Sequence, residues 1–165
     1  HLRDLRVSRA MPTGTDIYQA RQIFYEGRAG MIIDGTWLTA AIPGGTETIL
    51  IVDDEQLIVT LTREVLERVG YTVLAATDGQ EALEVFRART DEIDLVLLDR
   101  TLPKLPGERV LQEMLAVRPD VKVVVSSGDA SVDLADFPGA LRILHKPYAP
   151  SLLYGVVREV LDGGR

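Results

Sequence analysis

Residues 49–56 read ILIVDDEQ, an apolar run of four residues that continues directly into three adjacent carboxylates. Such a run, rich in β-branched residues and apolar on both faces, is typical of a strand buried inside a parallel sheet. Carboxylates crowded at the rim of a core repel one another and lose hydration. A sequence keeps them there if they face water or if they hold a positively charged group. The question is therefore which other side chains lie at the ends of the strands.

The composition is that of an acidic globular chain, with 46% hydrophobic and 26% charged residues in a length of 165. No apolar run approaches the length of a transmembrane helix, and no signal peptide opens the sequence. The absence of cysteine excludes disulfides and thiolate metal sites, which suits a cytoplasmic location. Residues 47–165 carry 13 Lys and Arg side chains against 21 Asp and Glu, a net charge of −8. This charge disfavours direct binding of nucleic acid, because phosphate contacts need a basic face.

Beyond residue 46, short apolar runs alternate with amphipathic stretches. The predicted strands are 48–52, 71–76, 94–98, 121–126 and 141–144, and the predicted helices are 55–69, 77–89, 107–120 and about 149–162. Five apolar strands that alternate with helices predict an α/β fold with a doubly wound parallel sheet covered on both faces. Crossovers of this length are right-handed.

Polar residues follow four of the predicted strands. In such sheets ligands bind at the carboxyl ends of the strands, which all meet at one edge. Clustered carboxylates at this edge suit a hard cation such as Mg²⁺. Lys146 then balances charge or holds an anion, to which the Ser127 hydroxyl and the Gly128 amide can donate. The strand ends carry, in chain order, Asp53 and Asp54, then Asp99, then Ser126, Ser127 and Gly128, and finally His145, Lys146 and Pro147.

The segments TILIVDDE, DLVLLDRTLP, VVVSSGD and ILHKPY, in this order and at this spacing, resemble the motifs of response-regulator receiver domains of two-component signalling. The resemblance covers residues 47–165. It implies a flavodoxin-like sheet with strand order 2-1-3-4-5. It also implies a phosphorylated switch that receives its phosphoryl group from a histidine kinase or a phosphotransfer protein. Such a switch is not a turnover enzyme, because it catalyses only its own phosphorylation and dephosphorylation.

The same resemblance implies a role for each matching residue. Asp99 matches the phosphoacceptor, Asp53, Asp54, Asp99 and the Thr101 carbonyl match the Mg²⁺ ligands, and Ser127, Gly128 and Lys146 match the group that binds phosphate. Ile143 departs from the pattern, because the family usually places Phe or Tyr there as an aromatic switch. We interpret His145 as a structural residue and Tyr148 as packing against the edge of the sheet.

A second departure is the segment 130–139, where the family has its fourth helix. Here the segment is short and acidic, and Pro138 interrupts it. We therefore expect residues 129–140 to be less ordered than the other connections, with few apolar residues to anchor them.

Two other functions compete with this interpretation. A receiver-like module without phosphorylation would serve only in protein interaction, but the matching acids and Lys146 disfavour it. A Mg²⁺-dependent aspartyl-phosphate phosphatase of the haloacid-dehalogenase type carries DxDxT after a strand, and Asp99, Arg100 and Thr101 lack the second Asp. The sequence leaves open whether the receiver acts alone or within a hybrid kinase, and whether it forms a homodimer.

Residues 1–46 are predicted to be an N-terminal extension or linker outside the receiver. TDIYQARQIFYEG can form a helix over 16–26 that places Ile17, Ala20 and Phe24 on one face, and MIID reads as a strand. Residues 15–42 faintly resemble a fragment of bacterial solute-binding proteins. We expect the apolar face of this helix and Trp37 to pack on the receiver or on a second chain.

Overall fold

The computed structural model describes residues 46–163. In chain order the elements are β1 Thr48–Val52, α1 Gln56–Arg68, β2 Thr72–Ala76, α2 Gly79–Ala88, β3 Ile93–Asp99, α3 Gly107–Val117, β4 Lys122–Ser127, a 3-10 turn Leu134–Asp136, β5 Arg142–His145 and α4 Pro150–Leu161. All five predicted strands and all four predicted helices are present. The predictions for the N-terminal segment, including the 16–26 helix, the MIID strand, Trp37 and the solute-binding resemblance, lie outside the described residues.

The five strands form one parallel sheet in the order β2-β1-β3-β4-β5, as the resemblance implies. The register aligns the carboxyl ends of neighbouring strands. Val52 pairs with Leu98 across β1 and β3, and Asp99 pairs with Ser126 across β3 and β4. The side chains that follow these strands therefore meet at a single edge.

Both faces of the sheet are buried, because alternate residues of each strand point to opposite faces. Leu50 and Val52 of β1 pack on one side with Phe86 of α2 and Met114 of α3. Ile49 and Ile51 pack on the other side with residues of α1 and α4, among them Leu66 and Val157. The sheet is thus covered by two helices on each face, which is the flavodoxin-like arrangement.

Local signals mark the start of α2 and the end of α1, whereas α3 ends at Val117, three residues before its predicted end. The Asp78 carboxylate caps α2 by accepting from the backbone N–H groups of Gln80 and Glu81. Gly70 ends the turn after α1 with a φ of 99°, a left-handed conformation that glycine adopts at little cost. Among the described helices, none is long and apolar enough to cross a membrane.

The connection between β4 and β5 lacks a full helix, as the sequence predicts. It contains only the 3-10 turn, capped by Asp133, in place of a full helix. Two apolar residues anchor it, since Phe137 is 1% exposed and Val132 is 5% exposed. Both join the core on the α2 and α3 face. A short connection can be anchored by two apolar side chains when they reach the core directly.

Candidate functional site

Three carboxylates meet at the carboxyl edge of the sheet. Asp53 follows β1, on the same face as Ile49 and Ile51, and Asp99 ends β3 beside it. Both side chains are buried, whereas Asp54 is exposed. One oxygen from each of Asp53, Asp54 and Asp99 lies within 4.8 Å of the other two. The structure thus brings together the three acids that the sequence places at separate strand ends.

Lys146 lies between two of these acids. Its Nζ is 2.7 Å from Asp53 Oδ2 and 3.1 Å from Asp99 Oδ1. Glu55 is a more distant partner at 3.9 Å. The Lys146 backbone N–H donates to the Ser127 carbonyl, which ties the end of β5 to the end of β4. The Lys146 ammonium therefore forms ion pairs with two buried carboxylates.

The electrostatics of the cluster favour a further positive charge. Burial raises the pKa of the Asp99 carboxyl, and the nearby Asp53 and Asp54 carboxylates raise it further, while Lys146 opposes them. Burial alone would lower the pKa of Lys146, but its hydrogen bond to Asp53 and the charges of Asp53 and Asp99 raise it overall. Three carboxylates and one ammonium leave two negative charges in excess when all four groups are ionised. A divalent cation matches that charge.

The loop after β3 is held close to this cluster. The Arg100 N–H donates to the Ser126 carbonyl, and the Gly107 N–H donates to the Arg100 carbonyl. At Gly107 a Cβ would lie 2.5 Å from the Asp99 carbonyl oxygen, so a larger residue would displace the loop. Thr101, whose carbonyl was matched to a metal ligand, lies exposed in this loop.

Among the described residues, the Ser127 hydroxyl forms its hydrogen bonds with Asp129 and none with Asp99. Its Oγ accepts from the Asp129 N–H at 3.0 Å and lies 3.3 Å from the Asp129 carbonyl oxygen, to which its hydroxyl donates. Gly128, the next residue, is exposed, and open space lies where its side chain would be. The predicted switch hydroxyl is thus bonded to the start of the β4–β5 connection.

Ser126 contacts Asp99 instead, and the sequence interpretation gave it no role. Its hydroxyl donates to Asp99 Oδ1 at 3.4 Å, and the residue is 2% exposed. The alternation of side chains along β4 could have indicated this contact, because it places Ser126 on the same face as Val124 and Ser127 on the same face as Val125. The alternation alone does not say which residue of β4 lies opposite Asp99, because that depends on the register between β3 and β4.

Arg100, the residue after Asp99, links three elements. Its guanidinium lies 3.4 Å from a Glu108 oxygen on α3 and 3.1 Å from an Asp129 oxygen on the β4–β5 connection. Asp129 is also the residue whose backbone holds the Ser127 hydroxyl. The loop of Asp99 and the loop of Ser127 are therefore joined by one ion pair.

The remaining predicted positions lie around the cluster. Ile143 is partly buried against the α2 and α3 face of the core, and His145 is exposed. Tyr148 packs partly buried against the α1 and α4 face, and this burial raises the pKa of its hydroxyl. A groove of about 630 Å³ runs from Lys146 and Gly128 between α1 and the start of α4, past Ile58, Leu61 and Leu153.

Comparison with known proteins agrees with this geometry. The model of the response regulator receiver domain family matches residues 49–158. The chain belongs to this family. Receiver domains are the signalling modules of response regulators, and the five-stranded sheet described above is their fold.

Two curated relatives and one solved structure show how far the likeness of this receiver domain extends. The alkaline phosphatase synthesis transcriptional regulatory protein PhoP of Bacillus subtilis is 38% identical over 116 residues, which span 68% of this chain and 48% of PhoP. The sensor kinase CckA of Brucella abortus is 33% identical over 121 residues, which span 72% of this chain and 13% of CckA. The chain therefore spans less than half of either relative.

The solved structure is the CheX-CheY-BeF3-Mg+2 complex from Borrelia burgdorferi. It matches with a TM-score of 0.65 and 26% identity, over 72% of this chain and 90% of the other.

Proposed function

We propose that this receiver domain accepts a phosphoryl group on Asp99 from a histidine kinase in a two-component phosphorelay and thereby switches a protein-interaction surface. One observation carries the proposal. The Asp99 carboxylate is buried at the strand ends beside two further acids and the Lys146 ammonium. A domain that reacts with a kinase in this way would act in the cytoplasm.

The acidic cluster fits Mg²⁺ as its cofactor. The donor set is made of oxygen atoms, lies within 4.8 Å and carries excess negative charge, as a hard divalent cation requires. Asp53, Asp54 and Asp99, together with the Thr101 carbonyl, would hold the ion. When bound, Mg²⁺ neutralises charge on the oxygens of the transferred phosphoryl group. The solved CheX-CheY-BeF3-Mg+2 complex is a relative that contains Mg²⁺ together with BeF3.

The orientation of Asp99 supports its role as the nucleophile. Its Oδ1 lies 3.1 Å from the Lys146 Nζ and accepts from the Ser126 hydroxyl, while Oδ2 accepts no hydrogen bond from the described residues 46–163. In the proposed reaction Oδ2 forms a bond to phosphorus as the bond from phosphorus to the histidine nitrogen breaks. The electron pair of that bond leaves with the imidazole. Lys146 then stabilises charge on the phosphoryl oxygens, and positioning supplies most of the rate.

Ser127 would convert phosphorylation into a change of surface. We propose that its hydroxyl leaves the Asp129 backbone and donates to a phosphoryl oxygen, together with the Gly128 N–H. Two hydrogen bonds at the start of the β4–β5 connection are then lost. Because Asp129 also pairs with Arg100, the loop after β3 would respond as well. A two-state surface biased by a phosphate in this way is a general form of switch.

The face of α1 beside the groove is the proposed docking site of the phosphodonor. Leu57 is 69% exposed and Leu61 is 50% exposed, and the two lie four residues apart on the same helix face. The groove reaches Lys146, so a partner seated there would present its phosphohistidine next to Asp99. A histidine kinase or a phosphotransfer protein is the partner whose chemistry fits.

Acetyl phosphate with Mg²⁺, followed by intact mass, tests the function. We expect the wild-type chain to gain one phosphoryl group and the Asp99→Asn variant to gain none, since an amide is a poor nucleophile. Omitting Mg²⁺ should suppress loading. Absence of any adduct on the wild type would favour an interaction module without phosphorylation. Steady release of inorganic phosphate without an adduct would favour the phosphatase.

The docking face is tested separately with an autophosphorylated histidine kinase that phosphorylates the wild-type chain. Leu61→Asp should slow transfer from the kinase but leave loading from acetyl phosphate unchanged, because only the kinase needs the α1 face. Val117→Asp is the matched control, since Val117 is 44% exposed at the far end of α3. Equal effects of the two variants on transfer would contradict the docking site.

A further inference from the structure

Ser126 is a buried hydroxyl on the strand that pairs with Asp99. It follows three valines in β4, is 2% exposed and lies opposite Asp99 in the register of β3 and β4. A buried hydroxyl without a partner costs free energy, so such groups are usually hydrogen-bonded. Within residues 46–163, the side-chain partner of Ser126 is Asp99 Oδ1, at 3.4 Å. The hydroxyl is therefore directed at the carboxylate that reacts.

The two serines at the end of β4 face opposite sides of the sheet. Ser126 points toward the acidic cluster, and Ser127 points toward the Asp129 backbone. The proposed function gives Ser127 to the phosphoryl oxygens. Ser126 is left in contact with the carboxyl end of the same acyl phosphate. In the phosphorylated state the two hydroxyls would therefore face different atoms of one group.

We propose that Ser126 shortens the lifetime of the phosphorylated state by stabilising the Asp99 carboxylate as it departs, an inference that rests on the function proposed above. A hydrogen bond to an ionised oxygen is stronger than one to a neutral carbonyl oxygen. Phosphorylation of Oδ2 turns Oδ1 into the carbonyl oxygen of a mixed anhydride. The bond from Ser126 is therefore weaker in the phosphorylated state than in the free one.

Hydrolysis reverses this change. A water oxygen bonds to phosphorus, the bond between phosphorus and Oδ2 breaks, and its electron pair returns to the carboxylate. A proton from the water passes to solvent, and inorganic phosphate is released. Negative charge grows on both oxygens of Asp99 as the bond breaks, so the Ser126 hydrogen bond strengthens along the way. Stabilisation that grows toward the transition state accelerates the step.

The lifetime of the loaded protein tests this role. Wild type and variants are loaded with acetyl phosphate and Mg²⁺, the donor is removed by buffer exchange, and loss of the adduct is followed by intact mass. Ser126→Ala should lengthen the lifetime by about three- to tenfold, the effect of one modest hydrogen bond. Ser126→Thr keeps the hydroxyl and should restore a lifetime near that of wild type.

Ser126→Cys separates hydrogen bonding from packing. A thiol fills the same space but is a weak donor, so this variant should resemble Ser126→Ala. It also carries the test if the alanine variant fails to fold. Failure of the wild type to load contradicts the proposed function itself. Normal loading with an unchanged or shorter lifetime in Ser126→Ala, or a wild-type lifetime in Ser126→Cys, contradicts the role of Ser126 alone.

Discussion

At the scale of single residues, Asp99 combines a reactive position with an unfavourable environment. Burial and the neighbouring acids raise the pKa of its carboxyl, so the ionised form is less favourable in the folded chain than in the unfolded chain. Asp99→Asn removes this charge and keeps the shape, while Lys146 retains Asp53 at 2.7 Å. We expect the metal-free variant to be at least as stable as the wild type in thermal melts.

Adding Mg²⁺ should shift the difference in stability toward the wild type. At tenfold its dissociation constant, Mg²⁺ should stabilise the wild type by roughly 1.4 kcal/mol, and the Asp99→Asn variant less, because it binds the ion more weakly. Thermal melts of both proteins without Mg²⁺ measure the metal-free difference in stability, and melts with Mg²⁺ measure how much the ion stabilises each protein. A metal-free variant clearly less stable than the wild type would mean that Asp99 is a satisfied structural residue.

Asp78 provides a test of pH dependence away from the cluster. Its hydrogen bond from Lys104, at 2.5 Å, and the backbone N–H of Glu81 lower the pKa of its carboxyl. A lowered pKa stabilises the fold above the ordinary value of 3.8, and this contribution is lost as the pH falls through the lowered value. Asp78→Ala should therefore lower the melting temperature at neutral pH, and the difference should shrink below pH 3.8.

A suitable control for Asp78 is Asp91→Ala, since Asp91 is exposed in the loop before β3. We expect this substitution to change the melting temperature little at either pH. Melting curves of both variants at neutral and acidic pH make the comparison. A difference for Asp78→Ala that persists at low pH would assign its effect to something other than the carboxylate.

At the scale of elements, the β4–β5 connection depends on Phe137. The ring is 1% exposed and belongs to the core beneath α2 and α3. Phe137→Ala should cost about 3–5 kcal/mol of unfolding free energy, because it leaves a cavity. Leu134→Ala, at a position 42% exposed in the same connection, should cost about 1 kcal/mol or less. Denaturant unfolding measures both, and equal losses would show that Phe137 does not anchor the segment.

At the scale of the whole molecule, residues 46–163 should fold without the preceding segment. Helices of the described part cover both faces of the sheet, and Glu47 pairs with Arg158 of α4 at 3.1 Å, which ties the start of β1 to the last helix. A fragment of these residues should melt in one cooperative transition and accept phosphate from acetyl phosphate. A fragment that does not fold would mean that residues 1–45 complete the core.

The same fragment tests the sequence-based expectation for the N-terminal segment. If the apolar face of the predicted 16–26 helix or Trp37 packs on the receiver, the full chain should melt at a higher temperature than the fragment. If it packs across two chains, the full chain should have the larger mass in solution. Calorimetry and light scattering on both proteins distinguish these results from an extension without contacts.

The sequence by itself determined the elements and the composition of the site. The period of the apolar residues is a local signal, so the strands and the helices could be predicted without knowing the fold. The convergence of Asp53, Asp54, Asp99 and Lys146 also followed from the sequence. The carboxyl ends of parallel strands lie at one edge of the sheet whichever side chains the strands carry. The order of the strands was implied by the family resemblance.

Only the tertiary structure decided which atoms meet within that edge. Ser126, and not Ser127, donates a hydrogen bond to Asp99 because the register between two strands sets which serine faces the cluster. Lys146 lies between Asp53 and Asp99 although 93 residues separate it from Asp53. Phe137 anchors its connection because a space in the core accepts its ring. Such contacts join residues far apart in the chain, and no local pattern contains them.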